Sequence, residues 1–175
     1  MKRRAVVVDD SAIARALLRE WLEADGDLEV VGEAADGEAA IELVNRLRPD
    51  VATIDIRMPG MSGLELVTTL MAKSPLPILV LTGAASSEEA GLAFEAVRRG
   101  ALDLLLKPSY RDDDAIRALR ARVRWLATVP VVRHIDTHKP PEWGAEPAPH
   151  SGGLWVSPDL PICVAIVQHL PRGFA

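Results

Sequence analysis

The sequence predicts an α/β fold: a doubly wound sheet of five parallel strands with helices on both faces. Three observations carry this. Short apolar runs alternate with amphipathic stretches between residues 4 and 106. Several of the runs are apolar at consecutive positions, as strands covered on both faces require. Helix stops fall between them, because Pro49 and Pro75 each follow an apolar stripe of helical period.

The five apolar runs are "AVVV" (5–8), "LEVV" (28–31), "VATI" (51–54), "PILVL" (77–81) and "ALDLLL" (101–106). Between the first two, Ala14, Leu18 and Trp21 recur at helical spacing; after the second, Ala40, Leu43, Val44 and Leu47 form a stripe. Leu64, Val67 and Met71 mark a third helix, and the unit count leaves a fourth between residues 82 and 101. The last helix spans about Asp112 to Ala127, with Ile116, Leu119, Val123 and Leu126 on one face. Arg117, Arg120, Arg122 and Arg124 fall mostly elsewhere on it, as a solvated face. Parallel neighbours need crossover helices of one hand, so each strand's carboxyl end lies at the same edge of the sheet. Sites in such folds form at that edge.

Composition narrows the function. Apolar residues make up 49% and charged residues 26% of 175, ordinary globular material. A formal charge of −5 argues against nucleic acid, whose partners usually carry a basic face. The single cysteine, Cys163, allows no internal disulfide and suits a reducing, cytoplasmic setting. No run approaches the ~18 apolar residues of a membrane span, so membrane insertion is not expected. After Pro130, "HIDTHKPPEWGAEPAPHSGG" (134–153) has no apolar period and reads as a linker. The expected organisation is a domain at 1–128, a Pro/Gly-rich linker at 129–153 and a short remnant at 154–175.

Polar groups stand where the strands end. Asp9 and Asp10 close the first, Asp55 the third, Thr82 the fourth and Lys107 the fifth. Adjacent carboxylates repel, and a hard divalent cation such as Mg²⁺ offsets that repulsion. With the cation present, Asp55 is placed as a nucleophile toward phosphorus, Lys107 offers a mobile positive charge to phosphoryl oxygens, and Thr82 offers a hydroxyl. The bland alternative is that Asp10 or Ser11 only caps the following helix.

The segments "VVVDDS", "DIRMPGMSGLEL", "LVLTGA" and "GALDLLLKPS", in this order and spacing, resemble the receiver domain of two-component response regulators, a flavodoxin-like fold, over residues 4 to about 127. The resemblance implies a phosphorelay protein with Asp55 as phospho-acceptor and a histidine kinase as donor. It implies Mg²⁺ held by Asp10, Asp55 and the backbone carbonyl of Arg57, with Asp9 acting through water. Pro59 and Gly63 fit the family's turn and helix entry, where glycine permits backbone angles closed to other residues. One departure stands out: three residues before the lysine, where the family usually has Tyr or Phe, this chain has Leu104.

The tail carries a second likeness. "RWLATVPVVRH" and "VQHLPRGF" resemble the linker and second catalytic strand of chemotaxis protein-glutamate methylesterases, a receiver joined to a serine esterase acting on chemoreceptors. His169 matches the catalytic histidine, and Ser151 lies one position late for the nucleophile in "APHSGG". Prolines interrupt the strand and helix that should frame that serine, and the third triad member has no counterpart. The expectation is therefore a truncated or degenerate esterase part, inactive as an ester hydrolase, attached to a working phosphorylation switch of chemotaxis type. The alternative is a methylesterase active only in a longer chain. His134, His138, His150 and His169 are spaced too irregularly for a metal site, and no helix-turn-helix follows Pro130. The apolar run 162–167 is a candidate for pairing with a sheet edge in another copy.

Overall fold

Five βα units follow one another in a computed structural model that describes residues 1–83 and 87–131, with the side chains of 87–90 and 93 left aside. The strands are β1 (Arg3–Val8), β2 (Leu28–Ala34), β3 (Val51–Asp55), β4 (Ile78–Thr82) and β5 (Asp103–Leu106). The helices are α1 (Ala12–Glu23), α2 (Gly37–Leu47), α3 (Gly63–Lys73), α4 (Ser87–Arg98) and α5 (Asp113–Leu126). All pairings are parallel, in the order β2-β1-β3-β4-β5. Most of the linker, Cys163, Ser151, His169, the four histidines and the apolar run 162–167 lie outside the described residues.

The order explains which runs are apolar throughout. β3 and β4 sit inside the sheet and are buried at every position, whereas the edge strand β5 alternates between half-buried and exposed. Alternate residues of β3 feed two cores: Ala52 and Ile54 face α2, α3 and α4, and Val51 faces α1 and α5. All four predicted α5 residues are buried, as are Leu18 and Trp21 of α1 and Val67 and Met71 of α3. The α5 arginines are paired: Arg120 and Arg124 reach Asp25 at 3.2 and 3.0 Å, and Arg122 reaches Asp103 at 3.1 Å. They tie α5 to the α1–β2 turn and to β5.

Local signals set the helix starts beside the site. Ser11 accepts from the Ala14 N–H and caps α1, so the bland reading holds for Ser11, and Asp10 remains available. Ser62 and Glu65 form a reciprocal capping box at the start of α3. Here one expectation is corrected. Gly63 does not have positive φ; among the described residues between β3 and α3, that conformation belongs to Gly60, at φ +74° after Pro59. Gly63 is required by space, because a Cβ there would lie 2.3 Å from the Asp55 carbonyl oxygen and 2.8 Å from Ile56 Cα. The fourth helix, undelimited in the sequence, lacks a strong stripe; among its described side chains Ala96 is buried in the core and Leu92 packs against it.

Candidate functional site

β1, β3 and β4 all end at one edge, so the polar residues that close them converge. Asp9 is fully buried, Asp55 is 5% exposed and Thr82 is 4% exposed, whereas Asp10 faces solvent. Asp9, Asp10 and Asp55 each present a carboxylate oxygen, and these atoms lie within 4.8 Å of one another.

Lys107 follows β5 and is delivered by backbone pairing, its N–H donating to the Thr82 carbonyl at 2.8 Å. Its Nζ meets Asp55 Oδ2 at 2.8 Å and Asp9 Oδ2 at 2.7 Å. The other Asp55 oxygen, Oδ1, accepts from the Arg57 N–H at 3.3 Å. Burial pushes the Asp55 carboxyl above its ordinary 3.8; the Lys107 ammonium opposes that shift and the Asp9 charge adds to it. For Lys107, burial acts to lower the pKa, but hydrogen bonds to Asp55 and Asp9 and their charges outweigh it, leaving it above the ordinary 10.5.

The donor set fits a hard divalent cation. Three carboxylates against one ammonium leave two negative charges at one spot. Oxygens within 4.8 Å of one another are close enough to share one cation, whose oxygen ligands stand at about 2.0–2.6 Å. Arg57 and Asp10 both line the adjoining hollow, with Ile56, Met58 and Pro59.

Sequence reading missed a basic residue in this region. Arg15, on the first turn of α1, donates through Nη1 to the carbonyls of Asp9 at 2.7 Å and Asp10 at 3.1 Å. Its signal in the sequence is faint: a cation five residues after Asp10 in the capped helix. Leu104, where an aromatic was expected, is 38% exposed and shares a face of β5 with Leu106, which is 49% exposed. Ser151 and His169 lie outside the described residues.

The response regulator receiver domain family matches residues 5–120. Among curated proteins, the chain is 38% identical to protein-glutamate methylesterase/protein-glutamine glutaminase 3 of Paramagnetospirillum magneticum, over 86% of this chain and 41% of that protein. It is 39% identical to the corresponding enzyme 2 of Anaeromyxobacter dehalogenans, over 98% of this chain and 55% of that protein. The chain thus spans about half the length of the curated relatives it matches. Among solved structures, the response regulator domain of Thermotoga maritima CheB aligns with a TM-score of 0.68 and 34% identity, over 74% of this chain and 99% of that one. Among the described residues, no helix is long and apolar enough to cross a membrane.

Proposed function

The chain belongs to the response regulator receiver domain family, and from that premise we propose that it is a phosphorelay switch of chemotaxis type, accepting a phosphoryl group on Asp55 from the phosphohistidine of a kinase. The observation that carries this reading is the contact of Lys107 Nζ with both Asp55 and Asp9 at the mouth of the sheet. An ammonium placed there balances the carboxylates at rest and stands next to the oxygens of any phosphoryl group arriving on Asp55.

Asp10, Asp55 and the Arg57 carbonyl would hold Mg²⁺, with Asp9 behind them. The cation, when bound, neutralises charge on the phosphoryl oxygens. An Asp55 oxygen attacks phosphorus as the P–N bond to the donor imidazole breaks, and the electron pair leaves with the imidazole nitrogen. Asp9 stays buried behind the site, and its contact with Lys107 keeps the ammonium within reach. As Asp55 loses its negative charge to the new O–P bond, Lys107 shifts to a phosphoryl oxygen, and Thr82, at the end of β4, offers its hydroxyl to another. Strand ends β4 and β5 are joined by the Lys107–Thr82 backbone hydrogen bond, so movement at either is passed to the α4 and β5 surface.

Mass spectrometry of the chain treated with acetyl phosphate, with and without Mg²⁺, tests acceptor and cation together. One phosphoryl group per chain is expected, only with Mg²⁺, and none in Asp55→Asn. Incorporation undiminished in that variant would refute the assignment.

A second reading concerns the longer proteins this chain resembles. The names of the relatives matched along most of the chain support an ester hydrolase of methylated glutamates, controlled by this receiver. Release of methanol from a methylated receptor peptide, lost in His169→Ala, would favour that activity in this chain. We expect none, beside normal phosphorylation.

A further inference from the structure

The acidic cluster depends on a loop of three residues, Asp9, Asp10 and Ser11, between β1 and α1. Asp9 is buried and anchored by its Lys107 contact, but Asp10 faces water. A carboxylate on an exposed loop samples many positions, and a cation site needs it in one.

The backbone of this loop is held from within, where the Ser11 N–H donates to Asp9 Oδ1 at 3.0 Å, and from two sides. Toward β2, the Asp9 N–H donates to the Ala34 carbonyl at 3.1 Å. Toward α1, a single nitrogen of Arg15, Nη1, donates to the carbonyls of Asp9 and Asp10 at 2.7 and 3.1 Å. These two carbonyls belong to the two peptide planes that flank the Asp10 α-carbon. Each plane is rigid, so holding both fixes φ and ψ of Asp10, and with them the direction of its Cα–Cβ bond. The guanidinium is itself restrained: its side chain is only 18% exposed, and Nε faces Glu33 Oε2 of β2 at 3.7 Å. Glu33 in turn accepts from Arg19 at 2.5 Å.

We propose that Arg15 is the positioning residue of the cation site, presetting the Asp10 carboxylate opposite Asp9 and Asp55 by fixing both peptide planes around it. The inference rests on the reading of the cluster as a Mg²⁺ site. It has a sign that separates it from simple charge. A guanidinium beside three carboxylates repels a divalent cation, so if charge alone mattered, removing Arg15 would tighten Mg²⁺ binding. If positioning matters, removal weakens it, by about tenfold as for other residues that orient metal ligands.

Isothermal calorimetry with Mg²⁺ alone on the full chain reads this directly. Arg15→Ala is expected to weaken binding about tenfold, whereas Arg117→Gln, which removes one positive charge from α5, where it pairs with Asp114, leaves it unchanged. In an Asp10→Asn background, Arg15→Ala should have no further effect, because its action runs through Asp10. Should Arg15→Ala unfold α1, Glu33→Gln loosens the guanidinium instead and is expected to weaken binding in the same direction, by less than the roughly tenfold loss expected of Arg15→Ala. Unchanged or tighter binding in the folded variants, or additive losses with Asp10→Asn, would overturn the role of Arg15 while leaving the site intact. Failure of the unaltered chain to bind Mg²⁺ at all would overturn the site reading and this inference together.

Discussion

Lys107 Nζ lies 2.8 Å from Asp55 Oδ2, although the two residues arrive from strands that are not neighbours, with β4 between them. The ammonium spans that strand and, through its second contact with Asp9, neutralises part of a buried acidic pair.

Replacing it therefore separates charge balance from chemistry. Lys107→Met leaves Asp9 and Asp55 buried without their cation, and a loss of about 2 kcal/mol in urea unfolding is expected in the absence of metal. Mg²⁺ then becomes their main neutralising partner, so it should bind more tightly and raise the melting temperature more than in the unaltered chain, while acetyl phosphate modifies the variant more slowly. A weaker Mg²⁺-induced shift would contradict this balance of charges.

Gly63 is tested by the smallest possible addition. A Cβ 2.3 Å from the Asp55 carbonyl oxygen meets backbone and not a flexible side chain, so α3 or the end of β3 has to move. Gly63→Ala should cost about 1–3 kcal/mol and weaken phosphorylation. Gly26→Ala, with φ +75° and open space around it, should cost about 1 kcal/mol of backbone strain and leave phosphorylation unchanged. Equal phosphorylation in both variants would mean that the α3 start does not position Asp55.

Leu104 sits on the edge strand β5 and is 38% exposed. Leu104→Tyr is expected to change stability by less than about 0.5 kcal/mol. The rate of Asp55 phosphorylation should stay within about twofold, because its side chain lies on the β5 face and not in the carboxylate cluster. Stopped-flow or mass-spectrometric time courses on the two chains check this.

Glu65 offers a pH signature away from the cluster. Its pKa lies below the ordinary 4.5 because the Ser62 backbone N–H, and then the Ser62 hydroxyl, donate to the carboxylate. A depressed folded pKa stabilises the protein above the unfolded value and ceases to do so as pH falls through the folded one. NMR titration of Glu65 should therefore show a midpoint below 4.5, moving upward in Ser62→Ala. An unmoved midpoint would remove the Ser62 hydroxyl as a contributor and leave the backbone N–H as the cause.

Much of the arrangement follows from local pattern. Short, largely apolar runs separated by helical stripes point to interior parallel strands, and Ile116, Leu119, Val123 and Leu126 at helical spacing mark the buried face of α5. With that topology, chain order alone brings Asp9, Asp10, Asp55, Thr82 and Lys107 to one edge. The fourth helix was harder to delimit, since a helix carrying Gly91 and a weak stripe shows little periodicity.

Other features became determinate only on folding. Asp9 and Asp10 are the same residue twice in the sequence, yet one is fully buried and the other faces solvent, because successive side chains leaving a strand point to different sides. The need for glycine at position 63 is a distance to a strand it does not belong to, and the reach of Arg15 to two carbonyls depends on how α1 leaves β1. Residue type and spacing thus determined which groups gather at the sheet edge. The packing of helix against strand decided their burial, their partners and their direction, since those depend on through-space distances that no local period encodes.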